Sequence, residues 1–234
     1  MRSVRGEGGP AGGGSRPDAR PEPDREPRLR DMPPPRRNES AIGPMMQRLF
    51  AWPFRLLLAG LFRAGVRPWQ LTVASLGTNL AVGGLILRGD RLLPAALLAL
   101  AGMFDVLDGS LARLRGEARR SGAFLDSVLD RVSDTVVFAC LFWSLSGQGE
   151  RTGAALALVT LVVTLLVSHV RAEAEAAGVP LSEGLFQRLE RYVVLILGLA
   201  VPGWLLPALA VLAVLGGVTL LQRAWAAGRR LAAR

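Results

Sequence analysis

The chain has 234 residues, half of them apolar, and a formal net charge of +9 from 28 basic residues that are all arginine. A single cysteine, Cys140, excludes an internal disulfide framework and a multi-cysteine metal site. A single histidine, His169, excludes sites that need two histidines. Basic chains often bind nucleic acid, but the long apolar runs of this one indicate a membrane, and we expect no nucleic-acid partner.

Residues 1–44 differ in composition from the rest, with nine prolines, seven glycines and nine arginines. Such a Pro/Gly/Arg-rich segment buries too little apolar surface to offset the entropy of ordering, so we expect a disordered N-terminal tail. Two interpretations of the tail stay open. It is either a polybasic arm that binds lipid headgroups, or a spacer or over-extended gene start before Met45 or Met46.

An amphipathic juxtamembrane helix is predicted over residues 45–66. Arg48, Arg55 and Arg63 recur at intervals of seven and eight residues, which returns them to one helical face, and aromatic and leucine residues fill much of the remainder. This pattern is typical of a helix that lies in the membrane interface with its arginines toward the headgroups.

Six transmembrane helices are predicted in a membrane domain at residues 67–230. Uncharged stretches cover residues 71–87, 92–104, 152–168 and 192–221, and the last is too long for one span of about 20 residues. Pro202 and Gly203 break it into two. With the apolar run at 136–145, the predicted helices are 69–88, 92–114, 121–146, 151–176, 184–201 and 204–225. The expected fold class is therefore all-α integral membrane, with six transmembrane helices preceded by the amphipathic interfacial helix.

The placement of arginines predicts the orientation. Six spans put both termini on one side, whose flanks and loops hold 15 arginines from residue 45 onward, against three (Arg88, Arg91 and Arg151) on the other side. This asymmetry fits the positive-inside rule. We expect a multi-pass protein of the cytoplasmic membrane, with both termini and the loops around residues 113–120 and 171–191 in the cytoplasm.

Four aspartates lie near the cytoplasmic turn between the second and third spans, two on each helix. Helical spacing places each pair on one face together with small residues, which leave room for a ligand to approach the backbone. The two faces carry Asp105, Asp108, Gly109 and Ala112 on one helix, and Gly122, Asp126 and Asp130 on the next. Two helices joined by a short loop can therefore direct four carboxylates at one point.

Four carboxylates at a bilayer are costly unless they are paired, protonated or bound to cations. Oxygen-rich clusters suit Mg²⁺ or Mn²⁺, and two such ions can clamp phosphoryl oxygens during a displacement. An ion-pair network between helices is the alternative, but four acids with small residues at face-matched positions favour the metal site. We therefore expect two Mg²⁺ or Mn²⁺ ions.

The segment reads Asp-x₂-Asp-Gly-x₂-Ala-Arg-x₈-Gly-x₃-Asp-x₃-Asp, which resembles the signature of the CDP-alcohol phosphotransferase family at every position. The resemblance implies the six-helix fold over about residues 45–230 and transfer of a phosphoalcohol group from a CDP-linked donor to an acceptor hydroxyl, with release of CMP. It further implies metal ligation by four residues (Asp105, Asp108, Asp126 and Asp130), with Asp130 also as general base. The CDP moiety would be bound by Gly109, Ala112, Arg113 and Gly122.

Three arginines at cytoplasmic helix ends, Arg131, Arg171 and Arg191, indicate an anionic acceptor. The stretches around them resemble the phosphatidylinositol-phosphate and archaetidylinositol-phosphate synthase branches of the family. That resemblance implies an acceptor-phosphate site for inositol phosphate, with glycerol 3-phosphate as the alternative acceptor. A cation transporter is the alternative from another class, but it would favour acids near the middle of the membrane and an internal repeat.

The expected partners are CDP-diacylglycerol, a small polar acceptor alcohol and the lipid bilayer, and a homodimer is left open. Asp134 lies four residues beyond Asp130 and is expected to pair with Arg131 or with an entry loop, and a carboxylate that supports the metal ligands from behind is the alternative.

Overall fold

The structure is a computed structural model that describes residues 43–179, 181 and 188–233, with the side chains of 43–51 and 120 left aside. The predicted tail therefore lies outside the described residues, except for its last two positions. Seven helices cover most of the described chain: α1 Gly43–Arg63, α2 Pro68–Leu87, α3 Leu92–Leu114, α4 Arg120–Gly147, α5 Arg151–Ala176, α6 Arg188–Ala200 and α7 Leu205–Ala232.

Within the described residues, most helix boundaries agree with the sequence prediction to within a few residues, and the predicted start of the fifth span at residue 184 lies outside them. Pro68 opens α2, and Gly89 and Gly116 take positive φ angles of 87° and 67° in the turns after α2 and α3. Such angles favour glycine. The end of α7 differs most, because the helix continues to Ala232 rather than stopping near residue 225. Residues 226–232 are mainly alanine, arginine and leucine, which are good helix formers.

Four of the helices, α2, α3, α5 and α7, are long and apolar enough to cross a membrane. The protein is therefore an all-α multi-pass membrane protein. The first half of α4 carries charged residues, and α6 has 13 described residues, so neither helix shows an apolar stretch of the same length.

Helices α2 to α7 form a closed ring. Going around it, α2 contacts α3, α3 contacts α6, α6 contacts α7, α7 contacts α5, α5 contacts α4, and α4 returns to α2. Glycines permit the closest approaches, since a Cβ at Gly83 would lie 2.9 Å from Val136 and one at Gly216 would lie 2.9 Å from Val163. Small residues at helix crossings are how membrane helices gain packing contacts.

The ring separates the two helices that carry the aspartates. No close backbone contact joins α3 to α4 within the described residues, although the two are consecutive in the chain. Instead, α2 contacts both of them, and α6 contacts α3 from the other side. The acidic faces of α3 and α4 therefore meet across a gap, which only side chains bridge.

Helix α1 packs on the outside of the ring against α3. Leu58 and Ala59 are buried in a small apolar cluster with Leu107 and Leu111. Arg115, just after α3, donates a 3.2 Å hydrogen bond to the carbonyl of Phe62. The predicted juxtamembrane helix thus rests on the helix that carries Asp105 and Asp108.

Candidate active site

Three of the four aspartates come together at one point. One carboxylate oxygen from each of Asp105, Asp108 and Asp126 lies within 4.8 Å of the others. Asp105 and Asp108 stand almost one turn apart on α3, and Asp126 projects from the second turn of α4. Asp108 is 5% exposed, whereas the other two are half-buried, so the group opens toward solvent on one side.

Asp108 is oriented by a residue that the sequence analysis did not identify. The hydroxyl of Thr72 on α2 donates a 2.8 Å hydrogen bond to Oδ2 of Asp108. The two residues are 36 positions apart, so no helical spacing relates them. Only the contact between α2 and α3 places this donor at the carboxylate.

Asp130 is paired with an arginine. The guanidinium of Arg188, at the start of α6, forms an ion pair with Oδ1 of Asp130 and a 3.1 Å hydrogen bond to Oδ1 of Asp105. The three side chains are each between 23% and 29% exposed. Arg188 therefore links the fourth aspartate to the group of three. The sequence analysis had counted this residue only among the 15 arginines on the cytoplasmic side.

Tyr192 holds the other side of the same guanidinium. It lies one turn after Arg188 on α6, accepts a 3.2 Å hydrogen bond from Nη2 at its hydroxyl, and carries the arginine 5.1 Å above its ring centre. The tyrosine ring rests against Gly102 of α3, where an added Cβ would lie 3.3 Å away. Arg188 is thus held between an aromatic ring and two carboxylates.

The residues expected to bind CDP line the same two helices. Arg113 is exposed and donates a 3.0 Å hydrogen bond to the hydroxyl of Ser110. A Cβ added at Gly109 would contact only Nη1 of Arg113, at 3.6 Å. A Cβ added at Gly122 would have no described neighbouring atom within 4 Å. Space for a ligand therefore exists beside the backbone at Gly122, close to Asp126, while Ala112 is half-buried on α3.

The three arginines expected at the acceptor phosphate have different partners. Arg131 donates to the carbonyl and hydroxyl of Ser127 and to the carbonyl of Ser168 on α5. Arg171 is exposed and forms a 2.8 Å ion pair with Glu175 on its own helix.

Arg191 is more enclosed than Arg171, with 12% of its side chain exposed against 53%, and it lies 3.9 Å from Asp134. The expectation that Asp134 pairs with Arg131 or a loop is wrong. The helical spacing within α4 suggested Arg131, but the side chain of Arg191 reaches Asp134 from α6, although α4 and α6 are not neighbours in the ring.

The donor set of the three-aspartate group fits a divalent cation. Carboxylate oxygens are hard ligands suited to Mg²⁺ and Mn²⁺, and three of them already lie close enough to share an ion. Three like charges at this separation also repel one another unless a cation offsets them. The residues present therefore fit the two-ion expectation at least at Asp105, Asp108 and Asp126.

Comparison with known proteins places this arrangement in a family. Residues 66–225 match the family described as CDP-alcohol phosphatidyltransferase. The chain is 36% identical over 172 residues to the phosphatidylinositol phosphate synthase of Corynebacterium glutamicum, which is 70% of this chain and 78% of that protein. It is 39% identical over 140 residues to the archaetidylinositol phosphate synthase of Methanothermobacter thermautotrophicus, covering 58% of this chain and 69% of that protein.

Solved structures agree with the sequence comparison. The crystal structure of Mycobacterium tuberculosis phosphatidylinositol phosphate synthase with CDP-DAG bound has a TM-score of 0.67 and 30% sequence identity, covering 73% of this chain and 91% of that one. A structure of the same enzyme in complex with manganese and citrate has a TM-score of 0.67 and covers 73% and 87% of the two chains. The chain belongs to the CDP-alcohol phosphatidyltransferase family and is a membrane-embedded transferase.

Proposed function

We propose that this protein transfers the phosphatidyl group of CDP-diacylglycerol to a hydroxyl of inositol phosphate and releases CMP, as a step in phospholipid synthesis. The observation that carries the proposal is the convergence of Asp105, Asp108 and Asp126, on the family's signature segment, within 4.8 Å of one another. Relatives 35–39% identical to the chain are named for inositol phosphate chemistry.

The divalent ions would be held by Asp105, Asp108 and Asp126, with Asp130 completing a set for two. When bound, Mg²⁺ or Mn²⁺ supplies charge that neutralises the pyrophosphate and the departing phosphate. The protein's own contribution is to keep the oxygens in place. Thr72 does this for Asp108 by a hydrogen bond to the oxygen Oδ2.

Asp130 is the proposed general base. It takes the proton of the acceptor hydroxyl as that oxygen forms a bond to the phosphorus of the phosphatidyl group, and the bond from this phosphorus to the CMP oxygen breaks. CMP leaves with the bonding electron pair, so charge and atoms balance. Arg188 pairs with Oδ1 of Asp130 in the structure, so the proton is proposed to go to the other oxygen of this carboxylate.

The donor nucleotide is proposed to lie along the facing surfaces of α3 and α4. Gly109, Ala112 and Gly122 are small residues that let a ligand approach the backbone there, and the described residues leave space beside Gly122. Arg113 at the exposed end of α3 adds positive charge for the diphosphate.

The acceptor phosphate is proposed to bind at Arg131, Arg171 and Arg191. Arg191 is the strongest candidate, because its 3.9 Å distance to Asp134 is too long for a direct hydrogen bond and leaves donors available to a phosphate. Arg171 would have to break its ion pair with Glu175 before it could bind the acceptor phosphate. Glycerol 3-phosphate is the less favoured acceptor, since the similar proteins are named for inositol phosphate.

The membrane arrangement is proposed to have six spans, α2 to α7, with the active site and both termini in the cytoplasm. The ring supports the proposal that α4 and α6 also cross the membrane, because α2, α3, α5 and α7 form no closed ring without these two helices. Exposed tryptophans support this arrangement, because tryptophan is enriched at both membrane interfaces. In the proposed topology Trp143 and Trp204 would lie at one interface, and Trp69 and Trp225 at the other. Helix α1 would then lie in the cytoplasmic interface.

The decisive experiment is CMP release from CDP-diacylglycerol by the purified full-length protein in detergent micelles. Inositol 1-phosphate, glycerol 3-phosphate, serine and free inositol are offered in turn, with Asp126→Asn as the inactive control. The proposal requires the highest kcat/KM with inositol 1-phosphate and product formation that depends on added Mg²⁺ or Mn²⁺. Preference for an uncharged alcohol would contradict the acceptor, and an absence of CMP with every acceptor would contradict the reaction.

A further inference from the structure

Arg188 occupies an unusual place for a cation, because it contacts two of the residues that the proposed chemistry assigns to cations. Its Nη1 atom meets Oδ1 of Asp130 and lies 3.1 Å from Oδ1 of Asp105. One guanidinium nitrogen therefore serves a carboxylate from α3 and a carboxylate from α4. A hydrogen bond between two charged groups is among the strong ones, so it is not exchanged freely.

The contacts of Arg188 divide the aspartates unequally. Among the described residues, Arg188 pairs with Asp105 and Asp130 but not with Asp108 or Asp126. Asp105 therefore belongs both to the three-carboxylate group and to the arginine pair. Asp105 already lies in the three-carboxylate group while Arg188 holds its Oδ1, and its second oxygen stays available to an ion. Asp130 lies outside that group, so a second ion at Asp130 must displace the guanidinium from Oδ1 or bind beside a second positive charge.

Tyr192 gives the guanidinium support that does not depend on the carboxylates. Tyr192 lies on the same helix as Arg188, its ring centre is 5.1 Å from the guanidinium, and its phenol oxygen accepts a 3.2 Å hydrogen bond from it. Stacking on an aromatic ring is a favourable setting for arginine. If Asp130 exchanges its partner, the arginine can remain against the ring without being expelled into solvent.

We propose that Arg188 is a positioning residue that competes with the second divalent ion for Asp130 and so makes the two ions bind in a fixed order. The first ion binds at Asp105, Asp108 and Asp126 with Arg188 in place. The second binds only as Oδ1 of Asp130 exchanges the guanidinium for the ion, and the other oxygen of Asp130 remains for its work as base. The inference rests on the proposed function for the identity of the ions and of the base.

The test is Mn²⁺ binding to the purified protein, measured from the signal of free Mn²⁺ by electron paramagnetic resonance without any substrate. The wild-type protein is expected to show one tighter and one weaker binding step. Arg188→Gln removes the competitor, so the second step should tighten by about tenfold to a hundredfold, as expected for the loss of one charge-assisted hydrogen bond. The first step should change much less.

Three variants separate competition from other effects. Arg229→Gln removes one exposed arginine at the end of α7 and should leave both steps as in wild type. Arg188→Lys keeps the positive charge but loses the forked donors of the guanidinium, so the second Mn²⁺ should bind with an intermediate gain in affinity. If Arg188 acted only through its charge, the lysine variant would show wild-type affinity. In an Asp130→Asn background, Arg188→Gln should give no further gain at the second step.

An equal change at both steps, no change, or weaker binding at the second step in Arg188→Gln would each overturn the inference. Circular dichroism of the variant shows whether the helices are retained, and the Arg188→Lys result stands as an independent test if Arg188→Gln does not fold. The outcome is separate from that of the transfer assay. Ordered Mn²⁺ binding without inositol-phosphate transfer would contradict the proposed function alone, and transfer with unchanged Mn²⁺ binding in Arg188→Gln would contradict this inference alone.

Discussion

Thr72 on α2 donates its hydroxyl hydrogen bond to Asp108 on α3 over 2.8 Å, and this bond connects the first helix of the ring to the acidic group. Asp108 is 5% exposed, so water has little access to replace the donor. The hydroxyl of Thr72 uses one acceptor position on Oδ2, and the carboxylate of Asp108 keeps its other acceptor positions for a cation. A neutral donor therefore orients a carboxylate that is proposed to bind a cation.

Replacing Thr72 by valine is expected to lower Mn²⁺ affinity and kcat by about tenfold, because a hydrogen bond to a charged group contributes roughly 1.5–3 kcal/mol. Valine has nearly the same shape, so the packing of α2 should be kept. Thr72→Ser retains the hydroxyl and should stay within a few-fold of wild type. Mn²⁺ titration and steady-state kinetics measure both effects, and equal behaviour of the valine and serine variants would contradict an orienting role.

Metal removal is expected to abolish transfer. EDTA should stop CMP release, and Mg²⁺ or Mn²⁺ should restore it, since the carboxylates of Asp105, Asp108 and Asp126 lie together with no other function in the proposed reaction. Asp105→Asn, Asp108→Asn and Asp126→Asn should each weaken Mn²⁺ binding. Asp130→Asn should keep more of that affinity but lose turnover, because it removes the base. Full activity in metal-free buffer would exclude the two-ion hypothesis.

Topology is testable by single-cysteine labelling in intact cells. In a Cys140→Ala background, Glu117→Cys in the turn after α3 should be protected from a membrane-impermeant thiol reagent, and Gln148→Cys after α4 should be labelled. Both positions are exposed and lie outside the helices, so substitution should disturb little. Gln148 is preferred to Gly149, whose φ of +77° disfavours a side chain. The opposite labelling pattern would reverse the proposed orientation.

The acceptor arginines are expected to affect acceptor use without affecting the donor. Arg191→Ala or Arg171→Ala should raise the KM for inositol phosphate by about tenfold to a hundredfold, because each charged contact contributes roughly 1.5–3 kcal/mol. The KM for CDP-diacylglycerol should change little. Arg151→Ala, at the far end of α5, is a matched control for the loss of an exposed arginine. Wild-type acceptor kinetics in both variants would move the acceptor pocket elsewhere.

Much of the fold follows from signals that are local in the sequence. The apolar runs and the break at Pro202 and Gly203 predicted most helix boundaries to within a few residues, because the membrane requires each helix to satisfy its own backbone hydrogen bonds. The separation of α3 from α4 was not predictable in this way, since a short loop suggested direct packing.

The same division holds for the active site. Spacing along two helices was enough to select the four aspartates, because residues three and four positions apart share a face. Residue spacing could not predict the partners that other helices supply. Thr72 from α2 donates a hydrogen bond to Asp108, and Arg188 from α6 lies between Asp105 and Asp130. These partners are 36 and more residues away in the chain, so only the closing of the helix ring decided which aspartates stand together and which one is held by an arginine.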